Sequence, residues 1–287
     1  MAGEGAPTGL FAPQVGSLTF RVRPLGELPG GSPVVRIEYW GIQGLGEEAR
    51  LLLEDAGVPY DDVRYWAGDE EGRADWAARS PTGQLPIYSG PELGEGVYLA
   101  QSRAILRHLS RHINGGALMG EDSPAMARSD MVMETARDLR DKLGTAYQED
   151  KLPKYLDLAR GLQKMLGEAD GDAGEYYFGG RAPLLGDYAA FQSLQLLESA
   201  RPGMLLASGL DGLEAFRKRF AARPRVAAYL ASCRHVPLTQ NELQDPSRPW
   251  SLEAFSYLQP LRWTEMCELA GTTEPPVALI SMDVPDT

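Results

Sequence analysis

The 287 residues of the chain are enough for two compact domains, because a typical domain contains about 100–150 residues. Hydrophobic residues make up 43% of the chain and charged residues 24%, an ordinary globular composition that excludes general disorder. The formal net charge of −12 repels phosphate backbones and anionic lipids. We therefore expect neither nucleic acid nor a membrane as a partner.

The cysteine and histidine content is low. The two cysteines, Cys233 and Cys267, cannot build a disulfide framework, so we expect a reducing compartment and a cytoplasmic location. His108 and His112 are four residues apart on a predicted helix, a spacing at which two side chains face one metal ion. No third ligand accompanies them, and we expect no metal cofactor.

The first 33 residues are rich in glycine and proline, which predicts a flexible leader at residues 1–33. Residues 17–25 alternate enough to form one short strand within it. The leader contains no apolar segment typical of a secretory signal.

From residue 34 apolar residues recur at strand and helix spacings in turn. Gly57 and Pro59 mark the end of the first helix. The order β-α-β-α-β-β-α predicts a mixed sheet flanked by helices, which we place at residues 34–114. The predicted strands are residues 34–39, 62–66, 86–89 and 96–99, and the predicted helices are residues 46–56, 70–79 and 101–112.

Strand signals are almost absent after residue 116, and an all-helical domain is predicted at residues 121–240. Ser123 as N-cap and Pro124 behind it open a long helix that runs to about residue 148. Further helices are predicted at residues 152–168, 185–197, 213–222 and 223–232.

The remaining residues, 245–287, form an aromatic-rich C-terminal extension with Trp250, Phe255, Tyr257 and Trp263. This extension either packs on its own domain or docks a partner, because exposed aromatic side chains at that density are unfavourable.

Four stretches of the chain carry recognisable motifs. They are YWGIQGL with EARLLLE at residues 39–54, TGQLP at 82–86, QS with ILRHL at 101–109, and MVMETARDLRDKL at 131–143. These stretches resemble the cytosolic glutathione transferases of the mu, pi and sigma classes, occur in the family's order and extend the resemblance over about residues 34–240. The resemblance implies an α/β thioredoxin-like N-terminal domain followed by an all-α helical bundle.

Tyr39 is the candidate catalytic residue. Glutathione chemistry needs a thiolate, and a phenol that donates a hydrogen bond to the sulfur favours this charged form. Between Tyr39 and Arg50 there is no Ser, Thr or Cys, which excludes the serine and cysteine types of this fold. The alternative is a tyrosine that merely ends a buried strand.

The resemblance also implies residues that bind glutathione. A cis peptide bond before Pro86 would turn the backbone of Leu85 towards the cysteinyl part of the tripeptide. Gln101 and Ser102 would hold the γ-glutamyl carboxylate at a helix N-terminus. An ordinary strand-start proline and a plain N-cap are the alternatives.

Asp138 would reach across a homodimer interface to the γ-glutamyl ammonium group, or else pair with a nearby arginine. Trp76 and Arg79 are the candidates for the glycyl carboxylate, although their spacing departs from the family pattern. Further contacts are implied at Trp40, Leu45 and Gln84.

The sequence therefore predicts a dimeric transferase that uses glutathione as co-substrate. Its second substrate would be a hydrophobic electrophile, held in a cleft between the two domains and conjugated or isomerised. The alternative is a non-catalytic binding or assembly module that uses the terminal extensions for docking.

Overall fold

A computed structural model describes residues 17–22, 35–65, 70–168, 177–178, 180, 182–232, 234–236, 238, 240–244, 246–247 and 278–281. Both cysteines and the four aromatic residues of the C-terminal extension lie outside these ranges. The predicted packing or docking of that extension therefore stays a prediction. The predicted domain limits at residues 34–114 and 121–240 also stay predictions.

The described residues form one sheet of six strands. The strands are β1 (Ser17–Val22), β2 (Val35–Trp40), β3 (Tyr60–Tyr65), β4 (Ile87–Ser89), β5 (Leu99–Ala100) and β6 (Ala278–Ser281). Their order in the sheet is β5-β4-β2-β3-β1-β6. The central strands β2 and β3 run parallel, and the other pairs are antiparallel. The short strand predicted in the leader is confirmed as β1, which pairs with β3 and extends the sheet.

Three helices flank this sheet: α1 (Glu47–Ala56), α2 (Glu70–Arg79) and α3 (Ser102–His112). Gly57 ends α1 in the left-handed conformation, with φ 66°, as the sequence predicts. The predicted mixed sheet with flanking helices and the thioredoxin-like topology are confirmed.

The rest of the described chain is helical, as predicted. The helices are α4 (Ser123–Asp141), α5 (Leu152–Glu168), α6 (Leu185–Ala200), α7 (Met204–Ala207), α8 (Asp211–Ala221), α9 (Pro224–Leu230) and α10 (Gln240–Leu243). Helices α4 and α6 pack most closely at Gly186, where a β-carbon would lie 2.5 Å from the carbonyl oxygen of Ser129.

Two predictions about α4 are wrong. Its N-cap is Asp122, whose carboxylate accepts the N–H of Ala125 at 2.8 Å, and Ser123 is already helical. The helix ends at Asp141 instead of near residue 148. A 3₁₀ turn follows, in which the N–H of Gly144 binds the distant side chain of Gln244 at 2.8 Å.

Buried polar contacts join the two domains along α1. Asp55 accepts the hydroxyl of Tyr188 at 2.8 Å and pairs with Arg223 at 2.8 Å. Glu47, which is buried about two turns before Asp55 on α1, accepts a hydrogen bond from the hydroxyl of Tyr229 at 2.9 Å. Buried hydrogen bonds of this kind fix the orientation of one domain on the other, because leaving either partner unpaired is unfavourable.

An ion-pair cluster lies beneath α1. Arg50 is fully buried and contacts Asp62 at 3.0 Å and Glu47 at 3.3 Å. Arg64 contacts the other oxygen of Asp62 and reaches the carbonyl oxygen of Arg234 at 2.7 Å. Burial alone would raise the pKa of Asp62, but the two arginines outweigh it and lower the pKa below its usual range.

We predict that Asp62→Asn lowers the free energy of unfolding by about 3–5 kcal/mol at neutral pH, because it removes the buried carboxylate that Arg50 and Arg64 share. The stabilisation by Asp62 exists above its unfolded-state pKa of about 3.9 and disappears as pH falls through the lower folded-state pKa. Urea unfolding between about pH 2 and 7 should therefore show a shallower acid dependence for the variant. Asp157→Asn, which removes an exposed pair with Arg160, is the control. Equal losses for both variants would contradict the prediction.

Candidate active site

Tyr39 lies near the end of β2, and only 6% of its surface is exposed. The glycines of the following turn pack on its ring. A β-carbon at Gly44 would lie 2.6 Å from the phenol oxygen, and one at Gly46 would lie 2.8 Å from ring carbon Cδ1. Gly44 also has φ +42°, a conformation that favours glycine. The turn therefore needs glycines so that the backbone can cover the tyrosine.

The electrostatic surroundings of Tyr39 keep its hydroxyl protonated. Burial raises its pKa above the ordinary value, the backbone N–H of Leu45 and the cation of Arg140 lower it, and Glu242 raises it. The N–H of Leu45 donates to the phenol oxygen, and within the described residues no hydrogen bond is donated by the hydroxyl itself. The phenol is thus a neutral hydrogen-bond donor with its oxygen held by the turn.

Arg50 organises the turn that carries these glycines. Its guanidinium donates to the carbonyl oxygens of Ile42 at 2.8 Å, Gln43 at 3.4 Å and Trp40 at 3.3 Å. Its charge lies 6.0 Å from the centroid of the Tyr39 ring. The sequence analysis missed this role, because a helical arginine does not reveal which carbonyls it reaches.

The loop before β4 approaches the same tyrosine. The Leu85–Pro86 peptide bond is cis, as the resemblance implies. Leu85 packs in one small apolar cluster with Tyr39, Trp40 and Leu45. The hydroxyl of Ser80 stabilises the loop by donating to the carbonyl oxygen of Gln84, the residue before Leu85, at 2.7 Å. The exposed side chain of Gln84 makes no contact with Tyr39 that the structure describes.

Gln101 and Ser102 stand at the start of α3, directly after β5. Gln101 has φ 74°, which is rare for a residue with a side chain, and it is exposed. Ser102 is partly buried, and its hydroxyl lies 3.5 Å from Nη1 of Arg137 on α4. The helix N-terminus and a nearby cation form an electropositive corner.

Trp76 and Arg79 lie on one side of α2 but differ in availability. Arg79 makes a bidentate contact with the buried Glu38, at 2.5 and 2.9 Å, and a further contact with Asp75. Trp76 packs edge-on against Trp40, with ring centroids 5.7 Å apart. No described group accepts the hydrogen of its indole Nε1. Arg79 is therefore already engaged by two carboxylates of its own chain, and its contact with the glycyl carboxylate stays a prediction.

Asp138 is exposed on α4 and pairs with Lys142 at 3.2 Å. No described contact joins it to Gln101 or Ser102 of the same chain. The alternative predicted for Asp138, a pair with an arginine, is not what the structure has, since the partner is a lysine. A role across a dimer interface stays a prediction.

A C-terminal segment that the sequence analysis did not connect with the site lies against the glycine turn. The N–H of Gly44 donates to Oε1 of Glu242 at 2.6 Å. Hydrophobic patterning gives no signal for such a contact, because 198 residues separate the two partners.

Two negative findings concern only the described part of the chain. None of its helices is both long and apolar enough to cross a membrane. Its His, Cys, Asp and Glu side chains form no group of three that is placed to hold a metal ion.

Comparison with known proteins covers both domains. The family profile for "Glutathione S-transferase, N-terminal domain" matches residues 35–111, and that for "Glutathione S-transferase, C-terminal domain" matches residues 126–233. The chain is 35% identical to glutathione S-transferase P of Caenorhabditis elegans, over 68% of this chain and 91% of the relative. It is 32% identical to glutathione S-transferase Mu 4 of Mus musculus, over 69% of this chain and 91% of the relative.

A solved structure of the Pi-class glutathione S-transferase from Onchocerca volvulus is similar, with a TM-score of 0.57 and 28% sequence identity. The match covers 68% of this chain and 91% of the other. Sequence profiles, curated relatives and fold therefore agree that the chain belongs to the glutathione S-transferase family.

Proposed function

We propose that the protein conjugates glutathione to hydrophobic electrophiles and activates the thiol through Tyr39. The observation that carries this proposal is the buried, protonated phenol under the Gly44 turn, with Leu85 of the cis-proline loop in the same cluster. The relatives named as glutathione S-transferases support the reaction class.

In the proposed mechanism glutathione loses its thiol proton to solvent, and the hydroxyl of Tyr39 donates a hydrogen bond to the resulting thiolate. A hydrogen bond to a charged group contributes about 1.5–3 kcal/mol, which lowers a thiol pKa by about one to two units. The thiolate then attacks an electrophilic carbon. A carbon–sulfur bond forms, and a leaving group such as chloride departs with its electron pair.

The tripeptide would bind along the loop and α3. The backbone of Leu85 would pair with the cysteinyl backbone in the manner of a short extra strand. The γ-glutamyl carboxylate would meet the N-terminus of α3, with Gln101 and Ser102 as side-chain donors and Arg137 nearby. The glycyl end would lie near Trp40 and Trp76, since Glu38 already engages Arg79.

A homodimer through α4 would complete each site. Met126 and Met131 on α4 are large apolar side chains with 39% and 50% of their surface exposed, and a dimer interface on this helix would bury them. Asp138 lies on the same helix and would bind the γ-glutamyl ammonium group of the partner's site.

The alternative of a non-catalytic assembly module gains no support from the described parts of the terminal extensions. Residues 17–22 and 278–281 both pair within the chain's own sheet. A cytoplasmic location rests on the cysteine content alone and stays a prediction.

We predict that Tyr39→Phe lowers kcat/KM for 1-chloro-2,4-dinitrobenzene roughly 50-fold near pH 6.5, because the thiol pKa returns towards about 8.5. The pH–rate midpoint should rise by about two units. Tyr155→Phe is the control, since its buried hydroxyl has no partner among the described residues. An unchanged pH profile in Tyr39→Phe would remove this residue from the mechanism, and absence of conjugation in the wild type would favour the binding module.

We predict that Gly46→Ala lowers kcat/KM at least tenfold without unfolding the protein, because the new methyl group must displace the Tyr39 ring. Gly161→Ala on α5 is the control, since a β-carbon there meets nothing within 4 Å. Rates measured beside circular dichroism spectra test this. Full activity in Gly46→Ala would show that the ring position does not matter.

We predict that Asp138→Asn raises KM for glutathione roughly tenfold or more, because one charge-assisted hydrogen bond is weakened. The decisive measurement uses mixed dimers of Asp138→Asn with Tyr39→Phe chains, purified through two different tags. If Asp138 acts across the interface, one of the two sites in the mixed dimer contains an intact Tyr39 and an intact Asp138, and about half of the wild-type activity returns. A mixed dimer that is no more active than the more active of the two parent homodimers would contradict the cross-subunit role.

A further inference from the structure

Residues 240–244, which we call the strap, connect the two domains beside Tyr39. Glu242 accepts the N–H of Gly44 in the first domain. The carbonyl oxygen of Leu243 accepts the hydroxyl of Tyr147 at 2.9 Å in the second domain. Gln244 accepts the N–H of Gly144 at 2.8 Å and donates to the carbonyl oxygen of Arg140 at 3.2 Å. Four hydrogen bonds thus hold the strap across the interdomain cleft.

The strap brings a carboxylate close to the phenol. Oε1 of Glu242 lies 2.6 Å from the nitrogen of Gly44, and the β-carbon position of Gly44 lies 2.6 Å from the oxygen of Tyr39. Since about 2.5 Å separates the nitrogen and the β-carbon position of one residue, the two oxygens are within about 8 Å of each other. Consistent with this, the charge of Glu242 raises the pKa of Tyr39.

A cavity of about 360 Å³ adjoins this contact. Gln43 and Leu243 line it, and they are the chain neighbours of Gly44 and Glu242. Phe191, Leu230 and Leu238 give the cavity an apolar wall. The Gly44–Glu242 contact and this apolar space are therefore neighbours at the junction of the two domains.

Resting on the proposed function, we propose that Glu242 sets the charge preference for the electrophile, disfavouring anionic substrates and favouring cationic ones. An electrophile that reaches a sulfur on Tyr39 approaches the turn whose Gly44 N–H binds the carboxylate, so we take about 8 Å as the separation of the two charges. Two unit charges about 8 Å apart change an affinity or a barrier by about twofold at the dielectric constant of water and by roughly 30-fold at the value of about 20 that applies near a protein surface, so we expect an intermediate change of roughly tenfold. The distance is also shorter than the Debye length of about 10 Å at 0.1 M salt.

Other charges face the same region. Arg140 and Arg50 lower the pKa of Tyr39, and so they favour negative charge at the sulfur. Their effect on thiolate formation is the same for every electrophile, and a ratio of kcat/KM values for two electrophiles removes it. Because these cations also act directly on a charged electrophile, the change of that ratio between the wild type and Glu242→Gln isolates the contribution of Glu242.

The test uses three aryl chlorides that differ in charge: neutral 1-chloro-2,4-dinitrobenzene, anionic 4-chloro-3-nitrobenzoate, and a cationic chloronitrophenyl trimethylammonium salt. For Glu242→Gln the ratio of anionic to neutral kcat/KM should rise roughly tenfold, and the ratio of cationic to neutral should fall. Glu242→Lys should raise the ratio of anionic to neutral kcat/KM further and lower the ratio of cationic to neutral further. Asp157→Asn on α5 makes the same change in net charge and should leave both ratios unchanged.

Ionic strength provides an independent readout on the wild-type protein, without any risk of misfolding. Raising the salt from about 0.05 to 0.5 M should increase the ratio of anionic to neutral kcat/KM, because screening weakens the repulsion. If the neutral substrate reacts but both ratios stay within about twofold in Glu242→Gln and at high salt, the charge-selection proposal is overturned. If the neutral substrate does not react with the wild type at all, the proposed function itself has failed.

Discussion

The buried contact between Arg50 and Asp62 is the constraint on which the position of Tyr39 depends. The arginine holds three carbonyl oxygens of the glycine turn, and the aspartate balances its charge from the neighbouring strand. A buried guanidinium without that carboxylate would be strongly unfavourable. Through Arg64 the same aspartate is linked to the carbonyl oxygen of Arg234, so the turn and the domain junction are fixed together.

Much of the fold follows from local patterns in the sequence. The predicted limits of α2 (Glu70–Arg79) and α5 (Leu152–Glu168) agree with the structure, and α5 has the periodic apolar face on which such a prediction depends. The N-cap of α4 was predicted one residue late, since Asp122 and Ser123 are equally good caps in isolation. Its end was misplaced because a side chain from residue 244 competes for the backbone there.

The candidate site likewise contains residues that short motifs predict and contacts that no local pattern predicts. Tyr39, Leu85 and Ser102 belong to short motifs and were recognised from them. Glu38 alternates with apolar residues in its strand, a pattern typical of an exposed side chain, yet it is buried and holds Arg79. Contacts between residues far apart in the chain, such as Gly44 with Glu242, depend on how the two domains close, and no local pattern encodes that geometry.

The neutral phenol, the cations of Arg50 and Arg140 and the carboxylate of Glu242 on the strap are the features behind our proposals that the site favours a thiolate and selects its electrophile by charge. The most direct test is the thiol pKa of glutathione bound to the protein, followed by the ultraviolet absorbance of the thiolate as pH rises. We expect a thiol pKa about two units below that of free glutathione, and a return to the free value in Tyr39→Phe. A bound pKa equal to that of the free tripeptide would contradict the stabilisation of the thiolate by Tyr39.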